Sequence, residues 1–403
     1  MASTRVFHRI SDKVRNKLAP YVWIHREYQP VGVIKLADMN GHGMDYIEIN
    51  PPYTSVLSLD QKFLDDCAPN LRPKVSVQYP GDYVVTLKSG RIYMTDDANM
   101  AVITSDNYLV EELSFQWIRG KSMLTGTENS IFRNRIFSRP RKYEGKVFSL
   151  LSGGGAIHYY YHWLFDSLPR LALLQASGLF SEVDYFLVPS TEHKFHRDYL
   201  EYFGIPESKI LSARNLRHLQ AETLIVSSYT RVEEHLPKWI CDFLYNRLTL
   251  PGAPNKQDRL IYIGRGDALR NRRVLNEPAL IKALLKLGFE VHFLAGLSIE
   301  DQVKLFNSAK MVVASHGGGL SNLVYSQPGT QVLEFFPDNY VNHLFYDLCT
   351  KRGLKYNYLI CKSSTNYGED ELQAETNTIA DIEAIEKEVR RMLDMPEAGN
   401  NLS

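Results

Sequence analysis

The chain has no run of eighteen or more apolar residues, so no membrane-spanning helix is expected. Its first residues carry no apolar signal-peptide core. Cysteine is scarce: Cys67, Cys241, Cys349 and Cys361 are the only four in 403 residues. They form no CxxC pair and no zinc spacing, which excludes a disulfide framework and reads as reduced thiols of a cytoplasmic protein. A charge excess is also missing, with 46 basic against 46 acidic residues, so bulk electrostatics give no case for nucleic acid as a partner. The acid pairs Asp65-Asp66 and Asp96-Asp97 lack the alternating DxD spacing that suits Mg²⁺ or Mn²⁺, and a bound metal is disfavoured.

What is present is an ordinary globular composition, 44% apolar and 23% charged, in a chain long enough for two cores. Residues 1–29 hold a short basic amphipathic helix. Phe7, Ile10, Val14 and Leu18 recur at helical spacing among Arg5, Arg9, Lys13, Arg15 and Lys17. It is either a peripheral anchor on the inner face of a membrane or a plain surface helix. Residues 30–250 form a first domain: a β-meander over 30–140, with runs such as Tyr83–Leu87 and Arg91–Met94, then an α/β part over 146–250. In that part strand Val147–Leu151 leads through a glycine turn to a long helix from about His158 to Ala176, and strands Tyr185–Pro189 and Thr223–Ser227 follow. Beyond Pro251-Gly252-Ala253-Pro254, residues 255–365 repeat the alternation as a Rossmann-like domain. There Asn276, Pro278 and Gly288 bound one helix, and Ser298 opens another with Asp301 three residues on. Residues 366–403 are a tail whose helix, about Ile379 to Leu393, is expected to pack back on the first domain.

The most telling stretch is Ser315-His316-Gly317-Gly318-Gly319-Leu320-Ser321-Asn322, after the apolar run Met311 to Ala314. Three glycines at the end of a buried strand let a ligand approach backbone amides closely, as phosphates or a ribose require. A tight turn that binds nothing competes with this reading. The loop Gly264-Arg265-Gly266-Asp267-Ala268-Leu269-Arg270-Asn271-Arg272-Arg273 also follows a strand. Its four arginines suit a diphosphate clamp or a solvated basic loop. Glu334 stands in an apolar strand, placed either to receive ribose hydroxyls or to pair internally, as a structural acid, with an arginine.

In the first domain His158, His162 and Asp166 are spaced four apart, hence on one helix face. An Asp held by a His suits a general base. A zinc site from the two histidines and plain surface polarity remain the competing readings. His193 and His196 lie in a charged helical stretch and read as surface.

Three ordered blocks then resemble glycosyltransferase family 61. They are His158-Tyr159-Tyr160-Tyr161-His162-Trp163-Leu164-Phe165-Asp166-Ser167-Leu168-Pro169-Arg170; Tyr262 through Arg265 with Arg272 to Glu277; and His316 to Asn322 with Pro328-Gly329 and Glu334. The likeness covers about residues 80 to 345. It implies a GT-B fold, with two Rossmann-like domains facing across a cleft, and inverting, metal-independent transfer from a nucleotide sugar, commonly UDP-linked, with no cofactor. Under it Asp166 is the base, oriented by His162. The nucleotide sugar is met by His158, Arg265, Arg270, Arg273, His316, Gly317, Gly318, Gly319, Asn322 and Glu334. Two departures stand out. Gly264 occupies a position where a small hydroxyl residue is usual, and the arginine loop is about one residue longer, which leaves open which of Arg270, Arg272 and Arg273 touches phosphate. Eukaryotic members usually carry an N-terminal membrane anchor; without one, the chain looks more like bacterial members of capsule or exopolysaccharide assembly, acting on a glycan acceptor in the cytoplasm. A nucleotide-sugar epimerase, a pyruvyl transferase and a non-catalytic glycan-binding scaffold remain the rival functions. Donor sugar, acceptor, linkage and oligomeric state, a homo-oligomer included, are not written in the sequence.

Overall fold

The computed structural model describes residues 26–67, 69–95, 99–116, 126–153, 155–249, 256–266, 272–364 and 376–394. The basic N-terminal helix, the Pro251–Pro254 linker, Asp96-Asp97 and Arg270 lie outside the described residues. The chain folds as two compact units. One takes the described residues up to Tyr53 with Pro80–Thr230, the other Thr54–Tyr79 with the residues from Arg231 onward.

The strands, in chain order, are β1 (Gly32–Ile34), β2 (Met44–Asn50), β3 (Tyr53–Val56), β4 (Ser76–Tyr79), β5 (Asp82–Lys88), β6 (Arg91–Met94), β7 (Met100–Ile103), β8 (Tyr108–Val110), β9 (Arg141–Ser149), β10 (Tyr185–Val188), β11 (Ile210–Ser212) and β12 (His218–Ser227). They are followed by β13 (Arg259–Ile263), β14 (Glu290–His292), β15 (Ala309–Ser315), β16 (Gln331–Pro337), β17 (Lys355–Ser363) and β18 (Thr378–Ile379).

In the first unit the expected meander and the expected α/β part are one mixed sheet. The ten-residue β12 joins them. One edge runs parallel to β9, while the other pairs antiparallel with β5 and then β6. On the far side of β9 the parallel order continues to β10 and β11. Val85, Leu87, Val102, Val147, Leu187 and Leu224 from both parts share one core, which is why neither part is a separate layer.

The long helix expected from His158 to Ala176 is broken. A short turn at Gly155–His158 ends where Tyr159 is extended, Tyr160–His162 restarts it, and Trp163–Ser167 widens into a π turn before helix Arg170–Ala176. Pro169 accounts for the widened turn, since it cannot donate to the carbonyl four residues back. That carbonyl, on Phe165, accepts instead from Thr230 Oγ1 at 3.0 Å, and Leu168 N donates to Trp163 O one residue further back. Widened turns of this kind are frequent at functional sites.

The second unit has the strand order β14-β13-β15-β16-β17-β18, parallel except for the last pair. Its strands are buried runs such as Met311–Ala314 and Val332–Phe335, the pattern of a sheet covered on both faces. Helix Ile299–Asn307 begins as expected, with Ser298 Oγ accepting from Asp301 N at 3.1 Å. Helix Glu277–Lys286 starts after Asn276, but the Asn276 side chain is spent elsewhere. It bridges the backbone N–H and C=O of Ala380, both at 2.8 Å.

Three boundaries differ from the sequence reading. Residues 54–79 leave the first unit, because Phe63 of helix Gln61–Asp66 needs an aromatic nest. It finds Phe336, Tyr346, Tyr356 and Tyr358. Helix Lys238–Leu248 belongs to the second unit, where Tyr245 lies under the Arg352 guanidinium and Leu236 N donates to Asp347. The C-terminal helix Ile382–Leu393 is part of the second unit and does not return to the first. Ile385, Val389 and Met392 pack with Leu280 and Leu284 over Val313 and Leu333. Among the described residues no helix is long and apolar enough to cross a membrane.

Candidate functional site

In the second unit β13 has β14 on one side and β15 on the other, so successive connections leave it in opposite directions. Ligands in open α/β sheets bind at the carboxyl ends of the strands where such a reversal opens a crevice. Two of the three sequence blocks meet at this point. The loop after β13 carries Gly264-Arg265-Gly266, and the loop after β15 carries His316 and the glycine triplet.

Their contact is close. A Cβ on Gly317 would fall 2.5 Å from Arg265 Nη1, so only glycine lets the guanidinium lie against this backbone. Arg265 is held from two sides: its amide donates to the buried Glu277 Oε1 at 2.6 Å, and its Nε donates to Arg272 O at 3.2 Å. Glu277 Oε1 also accepts from Tyr262 at 2.9 Å. Arg272 sits at φ +73°, a left-handed backbone that is unusual for a side chain of this size. It persists because the next residues are pinned: Arg273 N donates to Asn377 Oδ1, and Thr378 N donates to Arg273 O, both at 2.8 Å. The Arg272 guanidinium lies 5.3 Å from the centre of the Tyr340 ring.

Arg272, Ser315, His316, Pro337, Tyr340, Thr376 and Thr378 line a small crevice here. Arg272, not Arg273, is therefore the arginine of the pair that reaches it; Arg273 is exposed and held by its backbone. Gly318 and Gly319 continue the loop into a 3₁₀ helix, Gly318–Tyr325.

Two residues expected to face the nucleotide do not. Glu334 is wholly buried, and both its oxygens are taken. Oε1 meets His316 Nδ1 at 2.6 Å, and Oε2 accepts from Tyr356 at 2.6 Å. No surface is left for a ribose hydroxyl. Burial pushes the Glu334 carboxyl up to about 8, against the pull of the Tyr356 hydrogen bond. The internal-pairing alternative is what the fold adopts, with a histidine and a tyrosine in place of an arginine. His316 is held at the other nitrogen by Asn342 Nδ2, at 3.0 Å, while Asn342 Oδ1 accepts from Leu344 N. That orientation makes Nε2 the acceptor and Nδ1 the protonated nitrogen. Burial, then the Arg272 and Arg265 charges, hold its pKa well below the usual histidine range. Asn322 is buried too. Its Nδ2 donates to Gln302 Oε1 at 3.0 Å and Gly319 O at 3.1 Å, so it fastens the loop and does not line the crevice.

In the first unit the glycine turn after β9 lies at a second such reversal, with β10 on one side of β9 and β12 on the other. His162 Nδ1 lies 2.6 Å from Asp166 Oδ2, and the pair keeps 39% and 16% of its side-chain surface open. Gly155 makes room for it, since a Cβ there would fall 2.7 Å from the His162 ring. The broken helix means that His158 does not share one regular face with them; its ring instead approaches His193 edge-on at 6.1 Å. His196, read as surface, is buried and faces Ala156 O at 3.0 Å beside the glycine turn; burial lowers its pKa to about 4. No group of three or more His, Cys, Asp or Glu among the described residues is placed to hold a metal.

Arg170 is a residue the sequence reading quoted without a role. It is fully buried, donating through Nε to Asp166 O at 3.3 Å and through Nη1 to Ser227 O at 3.1 Å, with Nη2 unpartnered. Its position amid Leu168, Leu171, Leu173 and Leu174 was the available signal: a lone cation in an apolar run is there for a partner. Glu277, Asn342 and Tyr356 were also missed, and only Glu277 lay within a quoted block.

Residues 160–333 match the family model for Glycosyltransferase 61, and the protein is read from that match as a glycosyltransferase. The matched span opens two residues before His162 and closes one before Glu334. No curated protein matches the chain. Two solved structures are similar at 11% identity, over 73% of this chain and 83% of theirs, with a TM-score of 0.30. They are the bacterial iron-containing dodecameric glycosyltransferase TibC from enterotoxigenic E. coli H10407, and the dodecameric heptosyltransferase TibC in complex with ADP-D-β-D-heptose. A likeness of that level carries nothing to this chain.

Proposed function

We propose that the protein moves a glycosyl group from a nucleotide sugar, UDP-linked, to a hydroxyl of a glycan acceptor, with inversion and without a metal. The observation that supports this best is the convergence of Arg265, Arg272 and the Gly317 backbone at the strand-order reversal of the second unit. Two guanidinium groups beside a glycine loop suit a diphosphate, whose charge grows as the bond to the sugar breaks.

In the reaction the acceptor oxygen attacks the anomeric carbon, the bond to the diphosphate breaks, and the hydroxyl proton passes to Asp166. His162, donating to Asp166 from 2.6 Å, orients the carboxylate. Arg170 anchors the backbone of Asp166 from below, so the base is fixed to the core on one side and open on the other. The GT-B pairing of a donor-binding and an acceptor-binding unit, and a place in bacterial surface-polysaccharide assembly on the cytoplasmic side, belong to the same proposal.

The test is thermal stabilisation by UDP, GDP, CMP and ADP, each at saturation, with and without Mn²⁺. A ligand at about 100 times its dissociation constant stabilises by about 2.7 kcal/mol, an easily read shift. Selective stabilisation by UDP, unchanged by Mn²⁺, is expected. No response to any of the four would overturn the reading.

A further inference from the structure

We propose that Phe293 is the platform on which the nucleobase of the donor stacks, an inference that rests on the nucleotide-sugar reading above. Phe293 follows β14 at its carboxyl end, one strand from Arg265, and adjacent strands lie only about 4.8 Å apart. Phe293 is 41% exposed, a large aromatic left open against the loop that carries Arg265.

The loop after β13 is shaped around this ring. A Cβ on Gly264 would fall 2.5 Å from Phe293 Cε1, and one on Gly266 would fall 3.1 Å from the same atom. Neither glycine has a positive φ, so conformational freedom does not demand glycine at either position. Space for the ring does.

The platform is fixed in place. The next residue, Leu294, lies 3.2 Å from where a Gly319 Cβ would be, so the Phe293–Leu294 step touches both glycine loops. The turn Leu294–Gly296 is held by the Gln302 amide, which donates to Leu294 O at 3.4 Å and Leu297 O at 3.2 Å. Gln302 in turn accepts from Asn322. The buried Asn322 thereby joins the glycine loop to the aromatic, which gives it a positioning role. Tyr340, in the crevice lining, carries the Arg272 guanidinium over its ring. With the diphosphate at Arg265, the base runs toward β14 and meets Phe293. A rigid ring fixed before the ligand arrives gains affinity because little freedom is lost on binding.

The experiment is calorimetry on the full chain with UDP, GDP, ADP and inorganic pyrophosphate, for the wild type, Phe293→Ala, Phe293→Trp and Gly264→Ala. Base–aromatic stacking predicts that Phe293→Ala weakens the preferred nucleotide roughly 5- to 100-fold while pyrophosphate binding stays within about twofold. Phe293→Trp retains nucleotide affinity, and Gly264→Ala, by displacing the ring, repeats the selective loss. Nucleotide and pyrophosphate falling together, or neither falling, would overturn the role of Phe293 and leave the donor site standing. A wild type that binds none of the three nucleotides would overturn the parent reading and this inference with it.

Discussion

Each unit holds a histidine 2.6 Å from a carboxylate near a reversal of strand order, yet the two pairs differ in almost everything else. His162–Asp166 sits on a broken helix after a glycine turn, partly open to solvent. His316–Glu334 links a strand end to the strand beside it and is shut away, with Tyr356 and Asn342 closing both ends. A histidine and a carboxylate can thus meet a ligand or hold a wall. A partly open carboxylate keeps a route for a substrate proton. A buried one trades that route for rigidity and pays in desolvation. The difference explains why Glu334 cannot be a ribose ligand despite standing on the expected strand. Its service is to fix His316, one face of the crevice.

The largest effect should come from breaking the open pair. Asp166→Asn keeps the shape and the contact with His162 but removes the proton acceptor, so turnover should fall by at least about 100-fold while nucleotide affinity is unchanged. Initial rates and calorimetry on the same preparation separate the two. Near-normal turnover would remove Asp166 from the mechanism. Arg265→Ala should do the reverse. Losing one charge-assisted contact to the diphosphate, worth about 1.5–3 kcal/mol, weakens nucleotide binding roughly 10- to 100-fold. Undiminished binding would leave the crevice without its clamp.

Much of the second unit was legible because buried parallel strands read as apolar runs. Met311–Ala314 and Val332–Phe335 announce themselves, and Pro278 and Gly288 punctuate the helix between β13 and β14. The His162–Asp166 contact was legible from its four-residue spacing, but the widened turn beside it was not read, although Pro169 was there to signal it. What stayed hidden depends on partners far along the chain. Tyr356 caps Glu334 from 22 residues away, and Phe63 leaves the first unit for rings nearly 300 residues later. The burial of His196 is equally long-range, fixed by Ala156 O forty residues earlier. Local pattern reports which face is apolar. It does not report which strand will lie opposite, and the Phe293 ring against Gly264 is one more case of that kind.

The closed pair gives a smaller and more diagnostic effect, carried by pH. Burial raises the folded pKa of Glu334 to about 8 from its ordinary 4.5. Below about 4.5 the carboxyl is protonated in both states, and its contribution to stability is fully present. As pH rises toward 8 the unfolded chain ionises while the folded chain resists, so that contribution is lost, at up to about 1.4 kcal/mol per pH unit. His316 works in the opposite sense. Its lowered pKa contributes above the ordinary histidine value of 6.5 and is lost as pH falls below it. The two must be separated by difference. Glu334→Gln does not titrate and keeps an acceptor for His316, so the wild-type stability minus that of the variant should decline steadily between pH 5 and pH 8. Urea midpoints at half-unit steps, with equal slopes in both proteins, measure it. A difference that stays level with pH would mean that Glu334 titrates as an exposed acid does, and the contrast between the open and the closed pair would fail at its root.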